Sequence, residues 1–246
     1  MEFAAWEWIL LALASLSFGF SKTGMPGASL LAVSILPNLM PAKMATGVVL
    51  PLLIFADLFA LIVYRKNLDW ARVGRLLPWA VTGVVAGWLA LGRVDDQQAA
   101  RMIGAIILLM LVMHFWRSRG RSDADFASVP IWFAPMIGLL AGFTTMVANA
   151  AGPVMVIYLL AMRLGKLEFL GVAAAFFLVI NWIKVPFAVQ LGLITPESLW
   201  LNLWLLPPVA AGALMGRWII TRIDQRLFEN LTFGLSVVAA LKLLIG

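Results

Sequence analysis

Few residues in this 246-residue chain could do chemistry, and they stand out against an apolar background. Near the N-terminus the sequence reads GFSKTGMPG, Gly19 to Gly27. Ser21, Lys22 and Thr23 precede Gly24 and Pro26, so a cation and two hydroxyls lie beside a helix-breaking segment. Far along the chain NAAGP, Asn149 to Pro153, looks like a reduced copy, with Thr144 and Thr145 just before it and Gly152 within it. Proline suits the first helical turn, where its missing N–H would have no partner anyway. The other early N–H groups stay free, and the macrodipole adds about half a positive charge at that end. Short helices starting at Pro26 and Pro153 would therefore be anion sites. Ser21, Thr23, Thr144, Thr145 and Asn149 would add neutral donors suited to oxyanion oxygens, and Lys22 a full charge. A bland alternative stands beside this one: Lys22 snorkels at the cytoplasmic rim.

Three more polar residues lie deep in long apolar runs. Asp57 sits in PLLIFADLFALIVY, and Asn181 and Lys184 sit in FFLVINWIKVPFAV. Ionised groups in hydrocarbon are costly and normally face the protein interior, where they often mark a pathway. Asp57 could carry a proton or balance a cation, and Lys184 could attract an anion. A structural Asp57–Lys184 or Asp57–Lys22 pair is the alternative. Asp57 and Asn181 fall at similar places in two similar stretches of chain.

These residues must be positioned by membrane helices. The composition is 63% hydrophobic and 12% charged, where a soluble domain carries about a quarter charged residues. Apolar runs long enough to cross a bilayer recur throughout, without the alternation of a β-barrel. Ten apolar elements are expected. The first half has Phe3 to Phe20, a short Pro26 to Leu36, Ala42 to Tyr64, Val73 to Leu91 and Ala99 to Trp116. A polar linker, RSRGRSDAD, follows. The second half has Pro130 to Ala148, a short Pro153 to Leu164, Leu167 to Gln190, Leu199 to Ile220 and Leu227 to Ile245. The spacing of Pro78, Gly83, Gly87 and Asp95 recurs at Pro207, Gly212, Gly216 and Asp224. The glycine pairs read as small-xxx-small packing faces.

The expected fold is an all-α polytopic membrane protein of two inverted repeats. Each repeat is a broken or re-entrant helix pair plus three transmembrane helices, giving 8–10 membrane elements. Residues 1–116 form the first repeat, 117–129 a cytoplasmic linker and 130–246 the second. Arg65, Lys66, Arg72, Arg75, Arg117, Arg119, Arg121, Arg163, Lys166, Arg222 and Arg226 cluster in loops that the positive-inside rule puts in the cytoplasm. Both termini then lie outside. An odd number of elements per half inverts the second half, an architecture of secondary transporters. The +6 net charge is explained by these loops and does not point to nucleic acid. Glu2 and Glu7 stand where a signal peptide would be basic, so the first run reads as retained.

The chain has no Cys and one His, His114, read as an interfacial residue at a helix end. That leaves no thiol chemistry and no His/Asp/Glu cluster in the apolar runs, so an intramembrane enzyme is disfavoured and no cofactor or metal is expected.

GFSKTGMPG, the Asp57 helix ending in Tyr64 and a basic loop, Trp70, Pro78 and the NAAGP copy resemble the TauE/SafE family of sulfite and organosulfonate permeases over nearly the whole chain. The resemblance implies transport of a small sulfur anion such as sulfite, sulfoacetate or thiosulfate, with export across the inner membrane the expected direction. Transport of another small anion, and a non-transporting membrane assembly factor, are the rival readings. The expected partners are the anion and the lipid bilayer. The oligomeric state is left open, with a homodimer one option.

Overall fold

The computed structural model describes residues 3–29, 32, 35, 36, 39, 40, 42–90, 101, 105, 108 and 132–245. The described residues form helices and turns, with no strand among them. In chain order the helices are α1 (Ala5–Thr23), α2 (Ala42–Tyr64), α3 (Trp70–Ala90), α4 (Phe133–Ala148), α5 (Ala151–Ala161), α6 (Lys166–Gln190), α7 (Pro196–Ile220) and α8 (Gln225–Ile245). A 3-10 turn, Arg65–Asn67, follows α2. Among the described residues, Gly47–Asn67, Trp70–Ala90, Lys166–Gln190 and Pro196–Ile220 are long and apolar enough to cross a membrane. The protein is an all-α polytopic membrane protein. The expected element Ala99 to Trp116, the polar linker, His114 and Asp95 lie outside the described residues.

Two expectations about the short elements are corrected. α1 does not stop at Phe20 but runs on through Ser21, Lys22 and Thr23 to a C-cap at Gly24. Gly19 does not break it, because glycine is common inside membrane helices. Pro26 then lies in a turn that continues to Ser29, so it opens no helix. The Met25 carbonyl accepts from the Ala28 N–H across that turn. In the second half a short helix does form, but it begins at Ala151, two residues before Pro153. Proline still fits there, since the first four N–H groups lack partners within the helix.

The chain divides into two compact units, and each draws on both halves of the sequence. The first comprises residues 1–69 and 166–228, hence α1, α2, α6, α7 and the first residues of α8. Here α1 lies along α7 with backbones nearly touching. A Cβ on Gly19 would overlap the Val209 carbonyl, and one on Gly212 would overlap the Leu16 carbonyl. α2 packs against α1, α6 and α7. The core includes Leu11, Ala14 and Phe18 of α1, Val48, Leu52 and Ala56 of α2, and Leu205 and Val209 of α7.

The second unit comprises residues 70–165 and 229–246, hence α3, α4, α5 and most of α8. α3 packs on α4 by the same device. A Cβ on Gly83 would meet the Leu139 carbonyl, and one on Gly142 would meet the Ala80 carbonyl. The sequence-matched glycine pairs thus do the same work in both units, close backbone approach. In each case the partner helix comes from the other half of the chain. α5 packs on α4, and its run from Pro153 to Leu159 is buried.

Candidate functional site

The predicted polar residues of the first unit converge on one buried cluster. Lys22 occupies the last turn of α1, where the negative end of the helix dipole favours a cation. Its ammonium reaches the Asp57 carboxylate of α2 at 2.7 Å, with the Lys22 side chain 15% exposed and Asp57 fully buried. It also lies over the Phe177 ring of α6, 3.8 Å from the centroid, a cation–π contact that a desolvated site strengthens. Lys22 therefore points into the protein and does not snorkel. From α6, the Asn181 amide donates to the second Asp57 oxygen at 2.8 Å. Lys184 follows Asn181 by three residues, which puts both on one helix face. It is 3% exposed, and its charge interacts with those of Lys22 and Asp57.

The cluster is built from three helices around one carboxylate. Apart from Asp57 and Lys184, no charged side chain is fully buried among the described residues. With Lys22 added, two lysines face one aspartate, a formal surplus of one positive charge. The Asn181 carbonyl oxygen has no hydrogen-bond partner there, although Asn181 is only 1% exposed. A buried surplus cation and an unused polar atom are what an anion cavity offers and what a closed structural ion pair avoids.

The hydroxyls serve differently from the expectation. Thr23 is fully buried, and its Oγ1 is within 3.1 Å of the Gly19 carbonyl and 2.6 Å of the Ala213 carbonyl on α7. Its proton is therefore spent on backbone, as helical threonines commonly do. Thr144 likewise donates to its own helix, to the Leu140 carbonyl at 2.8 Å. Neither hydroxyl has a donor to spare for an oxyanion. Ser21 is buried in the last turn of α1, one residue before Lys22. Gly24 faces Gly216 of α7, where a Cβ would crowd the Gly216 backbone, so its role is close packing.

Two residues that the sequence reading passed over complete this region. The Tyr64 hydroxyl, at the end of α2, donates to the Thr23 carbonyl. Arg217 of α7 lies over the Tyr64 ring, 5.6 Å from its centroid, and its Nη1 is buried without a hydrogen-bond partner among the described residues. The signal for Arg217 was available: it is a lone cation inside the apolar run GALMGRWII, the kind of residue expected to face a protein interior.

A family model for the sulfite exporter TauE/SafE matches residues 10–243. The chain belongs to the TauE/SafE family. Its members are membrane transporters of sulfur anions, and this chain is accordingly a membrane transporter. Neither the search of curated proteins nor that of solved structures returned a match.

The second unit of this TauE/SafE protein holds Thr144, Thr145, Asn149, Gly152 and Pro153. Asn149 ends α4 in the left-handed conformation, φ 51° and ψ 30°, which asparagine tolerates better than most residues. Its N–H donates to the Thr145 carbonyl at 3.1 Å, and the Ala150 N–H to the Thr144 carbonyl at 3.2 Å. These bonds close the end of α4 and leave the N-terminus of α5 without a side-chain cap. The N–H groups of Ala151, Gly152 and Val154 are thus the free donors at a helix start, and nothing lies within 4 Å of a Cβ placed on Gly152. Here the expected helix N-terminus exists, whereas at Pro26 a turn replaces it.

Proposed function

We propose that this TauE/SafE protein is a secondary transporter that moves a small sulfur-containing anion, such as sulfite or an organosulfonate, outward across the inner membrane by alternating access. The observation that carries the reading is the buried cluster of Lys22, Asp57, Asn181 and Lys184, with more cation than carboxylate. Lys22 and Lys184 attract the anion, and Asp57 holds the lysines in place when the site is empty. Asp57 is also the group through which a proton is coupled. The free N–H groups at Gly152 supply a second electropositive element to the anion pathway. The basic loops place the cytoplasmic side and leave both termini outside.

The test is flux. Purified protein in liposomes is expected to give saturable sulfite or sulfoacetate movement, and Lys22→Met is expected to abolish it. Saturable flux of chloride or phosphate with none of any sulfur anion would overturn the substrate class. No flux of any anion would overturn transport itself.

A further inference from the structure

The charge count of the cluster sets a condition on the cargo. Asp57 is fully buried, and the charged groups acting on it are Lys22 from α1 and Lys184 from α6. With both lysines charged and Asp57 ionised, the empty site carries one surplus positive charge. A monoanion brings the buried site to neutrality. A dianion leaves an uncompensated buried negative charge, which low-dielectric surroundings strongly disfavour. One added proton restores the balance, and the acidic acceptor in the cluster is Asp57.

Asn181 makes that proton tolerable. It now donates through Nδ2 to Asp57 Oδ2 at 2.8 Å, while its own Oδ1 is buried with no partner among the described residues. A carboxamide offers two donors on one end and an acceptor on the other. Turned about its terminal bond, Asn181 would accept a hydrogen bond from a protonated Asp57 as readily as it now donates to the carboxylate. A leucine there could serve neither state, and a lysine only the ionised one. The spare acceptor is the second observation, independent of the charge count, and it too points to a carboxyl group that changes protonation state.

We propose that the site carries one net negative charge per cycle: a monoanion crosses without a proton, and a dianion crosses with one proton held by Asp57. This rests on the transporter reading above. In the dianion case the proton is taken from water by the Asp57 carboxylate, rides as the carboxylic O–H and is returned on the far side, with no bond to the anion made or broken.

The experiment uses the wild-type chain in liposomes with a trapped pH dye, driven by methanesulfonate, a monoanion, or thiosulfate, a dianion. Thiosulfate is expected to move with one proton each and methanesulfonate with none. Asp57→Asn removes the negative charge and the proton site together, leaving two lysines to the anion. It is expected to shift binding toward thiosulfate over methanesulfonate by about tenfold or more, the equivalent of about 1.4 kcal/mol. Thiosulfate flux without protons in the wild-type chain overturns the inference, as does an Asp57→Asn preference that does not change. The proton count is made on the wild type, so it decides the matter even if the variant fails to fold. Absence of flux for both anions overturns the transporter reading on which this rests.

Discussion

The sharpest quantitative consequence concerns the Lys22–Asp57 pair. At 2.7 Å and an effective dielectric of about 20, two unit charges attract by about 6 kcal/mol. Desolvation of both groups offsets much of that gross figure, and Asn181 and Lys184 still support Asp57 when Lys22 is removed. Breaking a buried pair by deleting one partner costs about 3–5 kcal/mol, because the remaining charge is stranded. Lys22→Met and Asp57→Leu are therefore each expected to destabilise the protein strongly. The double variant has no stranded pair partner and should recover most of the loss. A coupling energy of about 2–4 kcal/mol is the expected result of the double-mutant cycle. It is read from reversible unfolding of the four purified proteins in mixed detergent micelles. A coupling below about 0.5 kcal/mol, the ordinary scatter of independent sites, would refute the claim that these side chains are paired inside the protein.

Other outcomes follow from neighbouring features. Gly83→Ala and Gly212→Ala each push a methyl group into a facing carbonyl and should cost about 1–3 kcal/mol by overpacking. Gly152→Ala meets open space and should leave the melting temperature unchanged. Tyr64→Phe removes the donor to the Thr23 carbonyl and should cost about 1–2 kcal/mol, measured by the same unfolding titration. An anion at a hundredfold excess over its Kd stabilises the folded chain by about 2.7 kcal/mol, and Lys184→Met should remove most of that thermal shift while leaving the unliganded protein folded.

Much of this was legible in the residues themselves. Asp57, Asn181 and Lys184 announced themselves as polar groups in runs that should be greasy, and membrane energetics sends such groups inward toward one another. The glycine pairs at Gly83/Gly87 and Gly212/Gly216 were readable as packing faces, because small residues matter most where backbones must approach. What spacing could not reveal was the identity of the partner helix, since contact across more than a hundred residues leaves no local trace. The extent of α1 was misjudged for a related reason. Gly19 looks like a breaker in sequence, but it is the point where α7 comes close, and the helix runs past it. The hydroxyls of Thr23 and Thr144 were expected to face a ligand and instead bond to helix carbonyls. A threonine's type gives its capacity to donate, while local backbone geometry decides who receives. Arg217 was passed over because attention went to clustered cations, although an isolated one in an apolar helix is the stronger signal.

The packing of α1 on α7 also dictates an order of assembly. Thr23 and its acceptor Ala213 are 190 residues apart, and chains are made from the N-terminus onward. While the ribosome is still producing α3, the glycine face of α1 has no companion, and the carbonyls beside Gly19 look onto lipid. Lys22 and Asp57, by contrast, belong to α1 and α2 and can neutralise each other as soon as those two helices are in the bilayer. The pair that later meets the anion thus first acts as the clasp that keeps a half-made protein in the membrane until its second half arrives.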